Sequence, residues 1–315
     1  MNRRQFLKGC GGLVAVSALP TLADDASVFP QRGKFERLVL AYQHIRAGAT
    51  KPFSVLHISD THFTAAYAHE DAKKQELKLR RTRTFGGRQE EALRDSLAWA
   101  KDNVDYVLHT GDMIDWQSEA NFDLVRKYYG EQMFGSVGNH EYSRNMGLDG
   151  KEAHGRAWRE ATLDRIRAAY PFDPMLSAKV VNGVNFVCID DVDGSVTAGQ
   201  VDRFAAEVKK GFPIILCMHV PFFTDEIWLA HEKFWRSCGR RFTQAAVPEC
   251  RGDYQMQKTD SVTREFIAYL KSEKLLKGIL CGHLHITVQD RFSPTAMQYV
   301  VGGNFMFHGE EVLFT

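Results

Sequence analysis

The chain of 315 residues has no internal repeat and no low-complexity tract, which sets aside solenoid and fibrous architectures. It has no charge excess either: 40 basic against 39 acidic residues leave a formal net charge of +1. The basic footprint of a nucleic-acid or membrane-surface binder is therefore missing, and no stable nucleic-acid partner is expected. A membrane-spanning helix needs about 20 apolar residues. The stretch Gly9 to Leu19 is too short for that, and no other segment reads as transmembrane. There is no fully paired cysteine framework. Of six cysteines, Cys10 falls in the leader and leaves an odd set. Cys188, Cys217 and Cys281 lie in apolar runs and read as small buried hydrophobes. Cys238 and Cys250 sit in a polar stretch and could pair in an oxidising compartment.

The N-terminus reads as an address. Asn2-Arg3-Arg4-Gln5-Phe6-Leu7-Lys8 is a twin-arginine box, followed by the short apolar stretch and by Thr21-Leu22-Ala23, a small-residue cleavage site. Residues 1–23 are expected to be a twin-arginine signal peptide and residues 24–315 the mature domain. The expected partner is the twin-arginine translocation machinery, and the expected location periplasmic or otherwise extracytoplasmic. The route carries folded proteins.

Along the mature chain, short apolar runs alternate with helical spacing. Residues 35–40 read as an edge strand. Strands are expected at 53–59, 104–110, 134–137, 213–218 and 277–281, with closing strands at 297–301 and 311–314. Residues 180–189 read as a hairpin turning at Asn182-Gly183. Helices are expected near 88–101, 119–130, 153–169, 199–209 and 262–274. Near-continuous apolar strands between helices predict an α/β fold whose sheets are covered on both faces. In such folds ligands gather beyond the carboxyl ends of the strands.

Five motifs stand there: Asp60-Thr61-His62, Gly111-Asp112-Met113-Ile114-Asp115, Gly138-Asn139-His140-Glu141, His219 after Cys217-Met218, and Gly282-His283-Leu284-His285. Carboxylate, amide and imidazole are the donors a two-metal site needs. Two ions about 3.5–4 Å apart can clamp the attacking and leaving oxygens of a phosphoryl transfer. The glycines before Asp112, Asn139 and His283 are expected to let the backbone turn into the site.

In this order the motifs resemble the calcineurin-like metallophosphoesterase superfamily over roughly residues 52–290. The resemblance implies two mixed β-sheets packed face to face with flanking helices, a four-layer fold. It implies that Asp60, His62 and His285 hold one metal, that Asn139, His219 and His283 hold the other, and that Asp112 bridges them. His140 would be the catalytic general acid, protonating the leaving oxygen as a metal-bridged hydroxide attacks phosphorus. Asp115 or Glu141 would orient it or the ligand imidazoles. The cofactors would be two divalent ions, with Mn, Fe, Zn and Co all compatible with mixed nitrogen and oxygen donors. The expected function is an exported dinuclear-metal phosphoric ester hydrolase acting on a small phosphoester. The alternatives are a phosphodiesterase of cyclic-nucleotide or phospholipid type, or a non-catalytic metal-binding scaffold. Asp115 stands where purple acid phosphatases place a ligand tyrosine, so no iron–tyrosinate colour is expected. Ile286-Thr287 stands where some exported relatives carry Gly-Gly-Gln.

Two stretches could overhang the metals. Residues 63–88 contain Arg80, Arg81, Arg83 and Arg88. Residues 221–260, read as a specificity insert, contain Phe222, Phe223, Trp228, Phe234, Trp235, Arg236, Arg240 and Arg241. Arginine forks suit phosphate and aromatic faces suit bases, though a solvated basic face with a small satellite core explains the same residues. His57 and His109, inside strands, read as hydrogen-bonded core residues. His44, His69, His154, His231 and His308 read as surface or loop residues. Asp190 and Asp191 end a strand and read as turn carboxylates, with support of the ligands from behind as the alternative.

Overall fold

The computed structural model describes residues 37–146, 156–238 and 260–315. The twin-arginine box, the cleavage site, His154, Arg240, Arg241 and Cys250 lie outside the described residues.

Five strands form one sheet in the order β1-β11-β2-β3-β4, and six form the other in the order β5-β6-β7-β8-β10-β9. In the first, β1 (Val39–Ile45) runs parallel to β11 (His308–Phe314). β11 is antiparallel to β2 (Phe53–Ile58), and β3 (Tyr106–Thr110) and β4 (Met133–Ser136) continue parallel to β2. In the second, β5 (Leu176–Val181) and β6 (Val184–Ile189) form the hairpin. β7 (Ile214–Cys217), β8 (Leu276–Cys281) and β10 (Met297–Val300) run parallel to β6, and β9 (Val288–Arg291) closes the edge antiparallel. Both sheets are mixed, as the resemblance implied.

Successive side chains of a strand point to opposite faces, and the packing follows that period. On β2, Phe53 and Val55 face the layer between the sheets, while Leu56 and Ile58 face the helices. On β7, Ile215 and Cys217 face inward, and Ile214 and Leu216 face outward. Inward residues from both sheets, among them Leu108, Phe134, Phe186, Leu280 and Phe314, form the central core. Outside the first sheet pack α2 (Gln89–Asn103), α3 (Glu119–Tyr128) and α4 (Arg156–Arg167), through Leu93, Trp99, Phe122, Val125 and Ile166. Outside the second pack α5 (Ala198–Val208), α6 (Asp225–Ser237) and α7 (Ser261–Ser272), through Phe204, Ile227, Phe266 and Leu270. The result is four layers, helix–sheet–sheet–helix.

Several expectations shift. The first edge strand is Val39–Ile45 rather than 35–40, since its register is set by pairing with β11. Residues 63–88 contain a helix, α1 (Ala72–Phe85), in which only Leu77 and Phe85 are buried. His231 is buried on the inner side of α6, where it accepts a hydrogen bond from Trp235 Nε1. His44 and His308 are half-buried on strands rather than in loops. Cys238 is an exposed free thiol at the end of α6. No helix among the described residues is long and apolar enough to cross a membrane.

Candidate metal centre

Strands β2, β3, β4, β7 and β8 each end two or three residues before a predicted ligand. The backbone then turns sharply. Asp60, His62, Asp112, His283 and His285 all adopt positive φ, between 52° and 73°. Residues with a Cβ rarely occupy that region, and bringing five there concentrates strain at the mouth of the site.

The preceding glycines serve two different needs. Gly111 has φ 92°, so it does supply a turn. Gly138 and Gly282 do not have positive φ; they supply space. A Cβ on Gly138 would lie 2.2 Å from Asp112 Oδ1, and one on Gly282 would lie 1.8 Å from Ser59 Oγ and 2.7 Å from Asp60 Oδ2.

These turns bring six of the seven predicted ligands together. Asp60, His62 and His285 form one cluster of potential ligand atoms within 4.8 Å, and Asp112, His219 and His283 form another. Asp112 Oδ2 lies between them, 3.7 Å from His62 Nε2 and 3.1 Å from His219 Nε2. His140 joins His62 and Asp112 in a third grouping. The two main triads make a candidate dinuclear metal site.

The donor set fits cations. Asp60 Oδ1, Asn139 Oδ1 and His283 Nε2 are buried with no hydrogen-bond partner. Two pairs of imidazole nitrogens face each other, His62 Nε2 with His285 Nε2 at 3.0 Å and His219 Nε2 with His283 Nδ1 at 3.2 Å. Orphaned lone pairs converging in a buried place call for a cation.

The surrounding groups aim these donors. Asp60 Oδ2 accepts the His283 N–H at 2.9 Å, which leaves Oδ1 free. His219 Nδ1 faces the Thr110 carbonyl at 2.7 Å, so Nε2 turns to the centre. Asp115 Oδ1 lies 3.1 Å from His62 Nδ1 and 2.9 Å from His140 Nδ1. Glu141 does not touch the imidazoles. Its two oxygens accept the backbone N–H groups of Asp112, Met113, Ile114 and Gly138, and the Tyr170 hydroxyl, fixing the loop that carries Asp112.

Burial disfavours the charged form of His62, but Asp115, Asp60 and Asp112 outweigh it and hold its pKa up at about 9. His219 is likewise raised to about 10, chiefly by Asp112 against burial. His283, buried and beside the His219 charge, is pushed down to about 3. His140 is raised: burial opposes the proton, and the Asp112 and Asp115 carboxylates prevail.

The sequence reading gives two further participants the lesser weight. Asp191 Oδ1 accepts the backbone N–H of His219 and Val220, both at 3.1 Å, and so is more than a turn carboxylate. Asp190 binds the Tyr142 hydroxyl and the buried Arg159 guanidinium, each at 2.6 Å. The pair of aspartates ending β6 was the available signal. His57 and His109 behave as read: His57 is buried between Glu310 and Thr110, and His109 against Thr61. A cavity of about 80 Å³ opens beside Asn139 and His140, walled by Tyr142, Met146, Trp158 and Val192.

The family profile of calcineurin-like phosphoesterases matches residues 53–287, from β2 through the last ligand pair. The chain belongs to the calcineurin-like phosphoesterase family. Within the family the chain's candidate ligands are those of a metal-binding phosphoesterase fold. No curated protein sequence matches it. Among solved structures it is similar to a dimetal phosphatase from Danio rerio, at 13% identity and TM-score 0.43, over 81% of this chain and 88% of that one. It is similar to a phosphopantetheinyl hydrolase from Mycobacterium tuberculosis, at 14% identity and TM-score 0.37, over 81% and 91%. It is also similar to a 5'-nucleotidase from Candida albicans, at 12% identity and TM-score 0.39, where 86% of this chain spans 47% of that one. At these values the likenesses carry no argument about activity.

Proposed function

We propose that this calcineurin-like phosphoesterase is an exported phosphoric ester hydrolase with a dinuclear metal centre and a small phosphoester substrate. The observation that carries the reading is the seating of Asp112 between two ligand triads, with His140 beside it. Asp60, His62 and His285 would hold one divalent ion, Asn139, His219 and His283 the other, and Asp112 both. Ions bound there supply Lewis-acid polarisation of the phosphoryl oxygens and a water acidic enough to attack phosphorus near neutral pH.

The chain's own part is to orient and to move a proton. His140 Nδ1 is engaged by the Asp115 carboxylate and by its carbonyl at 3.0 Å, so Nε2 is the end left for substrate. The Asp112 and Asp115 carboxylates raise its proton affinity against burial, and the ring is still 15% exposed. We assign it to protonate the departing alkoxide oxygen. The cavity beside it would receive the leaving alcohol. Residues 24–315 would form the mature domain, with 221–260 tuning specificity, and the twin-arginine leader would direct it to the periplasm.

Replacing His140 with Ala is expected to lower kcat on a nitrophenyl phosphoester by about 10²–10⁴-fold, with metal content retained. Asp112→Asn and chelation should each abolish turnover. Full activity in both variants would reject the reading. A panel of mono- and bis-nitrophenyl phosphates then separates monoesterase from diesterase.

A further inference from the structure

We propose that Arg81, on α1, is a positioning residue of the metal centre, setting the aim of both His62 and His140 through the Asp115 carboxylate. The kinetic part of this inference rests on the phosphoesterase reading above; the geometric part does not. Arg81 Nε donates to Asp115 Oδ2 at 2.6 Å, and Nη2 donates to Oδ1 at 2.8 Å, a two-pronged fork. Oδ1 is the same oxygen that meets Nδ1 of His62 and of His140. Asp115 is fully buried, and Arg81 is the only arginine or lysine paired with it among the described residues. A carboxylate turns easily about its terminal torsion. Held by both prongs it cannot turn without losing both bonds. If it turned, His62 would lose this acceptor and His140 would keep only the Asp115 carbonyl.

The same helix supplies a second hold. Phe85 is four residues on from Arg81 and therefore on the same face. Its ring lies flat on His62, with centroids 4.4 Å apart and an interplanar angle of 13°. The Arg81 guanidinium carbon sits 4.9 Å from the Phe85 centroid. One turn of α1 thus grips His62 at its nitrogen and on its face. Arg80 and Arg83, the neighbours in the basic cluster, are exposed. The fork needs arginine: a lysine ammonium gives a point charge but not two parallel bonds.

The test uses zinc-loaded protein carrying Arg81→Ala or Arg81→Lys. Groups that orient metal ligands typically contribute about 10–100-fold. We expect kcat to fall by that factor in Arg81→Ala with KM nearly unchanged, little recovery in Arg81→Lys, and partial rescue of Arg81→Ala by added guanidinium ion. Independently of turnover, the Nδ1–H proton resonances of His62 and His140 should move in both variants and return toward their positions when guanidinium rescues Arg81→Ala. Unmoved resonances, or full restoration by lysine, would overturn the proposal. Should Arg81→Ala fail to fold, Arg81→Lys decides by the same resonances. Should the unaltered protein cleave no phosphoester, the hydrolase reading falls while the resonances still judge Arg81.

Discussion

His109 shows how a single imidazole, not needed as a ligand, shapes behaviour with pH. It is buried on β3, faces Thr61 Oγ1 at 2.9 Å, and is pushed down to about 3, with burial the largest cause. Unfolded, it would titrate near its ordinary value of about 6.5. Between those values the unfolded chain binds the extra proton, so stability rises with pH across that window. The contribution is fully present above pH 6.5 and is lost as pH falls toward 3. His109→Gln should therefore lose most, relative to the unaltered chain, above pH 6.5. That deficit should narrow at pH 4–5, read by urea unfolding. His62 and His219 work the other way toward metal. Their pKa values near 9 and 10 mean that protons must leave before an ion enters. Metal affinity, measured by chelator competition, should strengthen as pH rises from 6 to 9, with proton release on binding. Affinity independent of pH would contradict this balance.

Among the elements, the strands that carry ligands were the most legible. Ile214-Ile215-Leu216-Cys217 and its counterparts are buried on both faces, so they are apolar throughout and end visibly where the polar ligands begin. The Asn182-Gly183 turn was also readable, because both residues sit at positive φ as a tight hairpin requires. Helix α1 was not. It buries only two side chains, so no apolar stripe marks it, and its arginines look alike although Arg81 alone bonds Asp115. Strand β9, Val288–Arg291, is short and half-exposed and was missed for the same reason. The left-handed backbone at five ligands had no compositional trace at all. Gly282→Ala tests how tightly the β8 end is fitted. The new methyl would lie 1.8 Å from Ser59 Oγ, so we expect a loss of about 1–3 kcal/mol and depleted metal. Gly199→Ala, in the first turn of α5 with nothing within 4 Å, should be neutral or stabilising by up to about 1 kcal/mol.

For the whole molecule, an ion that binds only the folded chain stabilises it by about 2.7 kcal/mol at a hundredfold excess over Kd. Chelation should therefore lower the melting temperature, and re-addition of zinc or manganese should restore it. If export follows the twin-arginine route, a joint Arg3→Lys, Arg4→Lys change should retain the protein in the cytoplasm, as judged by cell fractionation. The placement of β11 has a bearing on biogenesis. It lies between β1 and β2, so residues 308–314 are inserted next to strands made more than 250 residues earlier. Until they leave the ribosome, β1 has no neighbour in its sheet and β2 shows a bare edge. The nascent polypeptide must wait for this late-made strand. Ribosomes stalled short of codon 308 should hold a protease-sensitive intermediate.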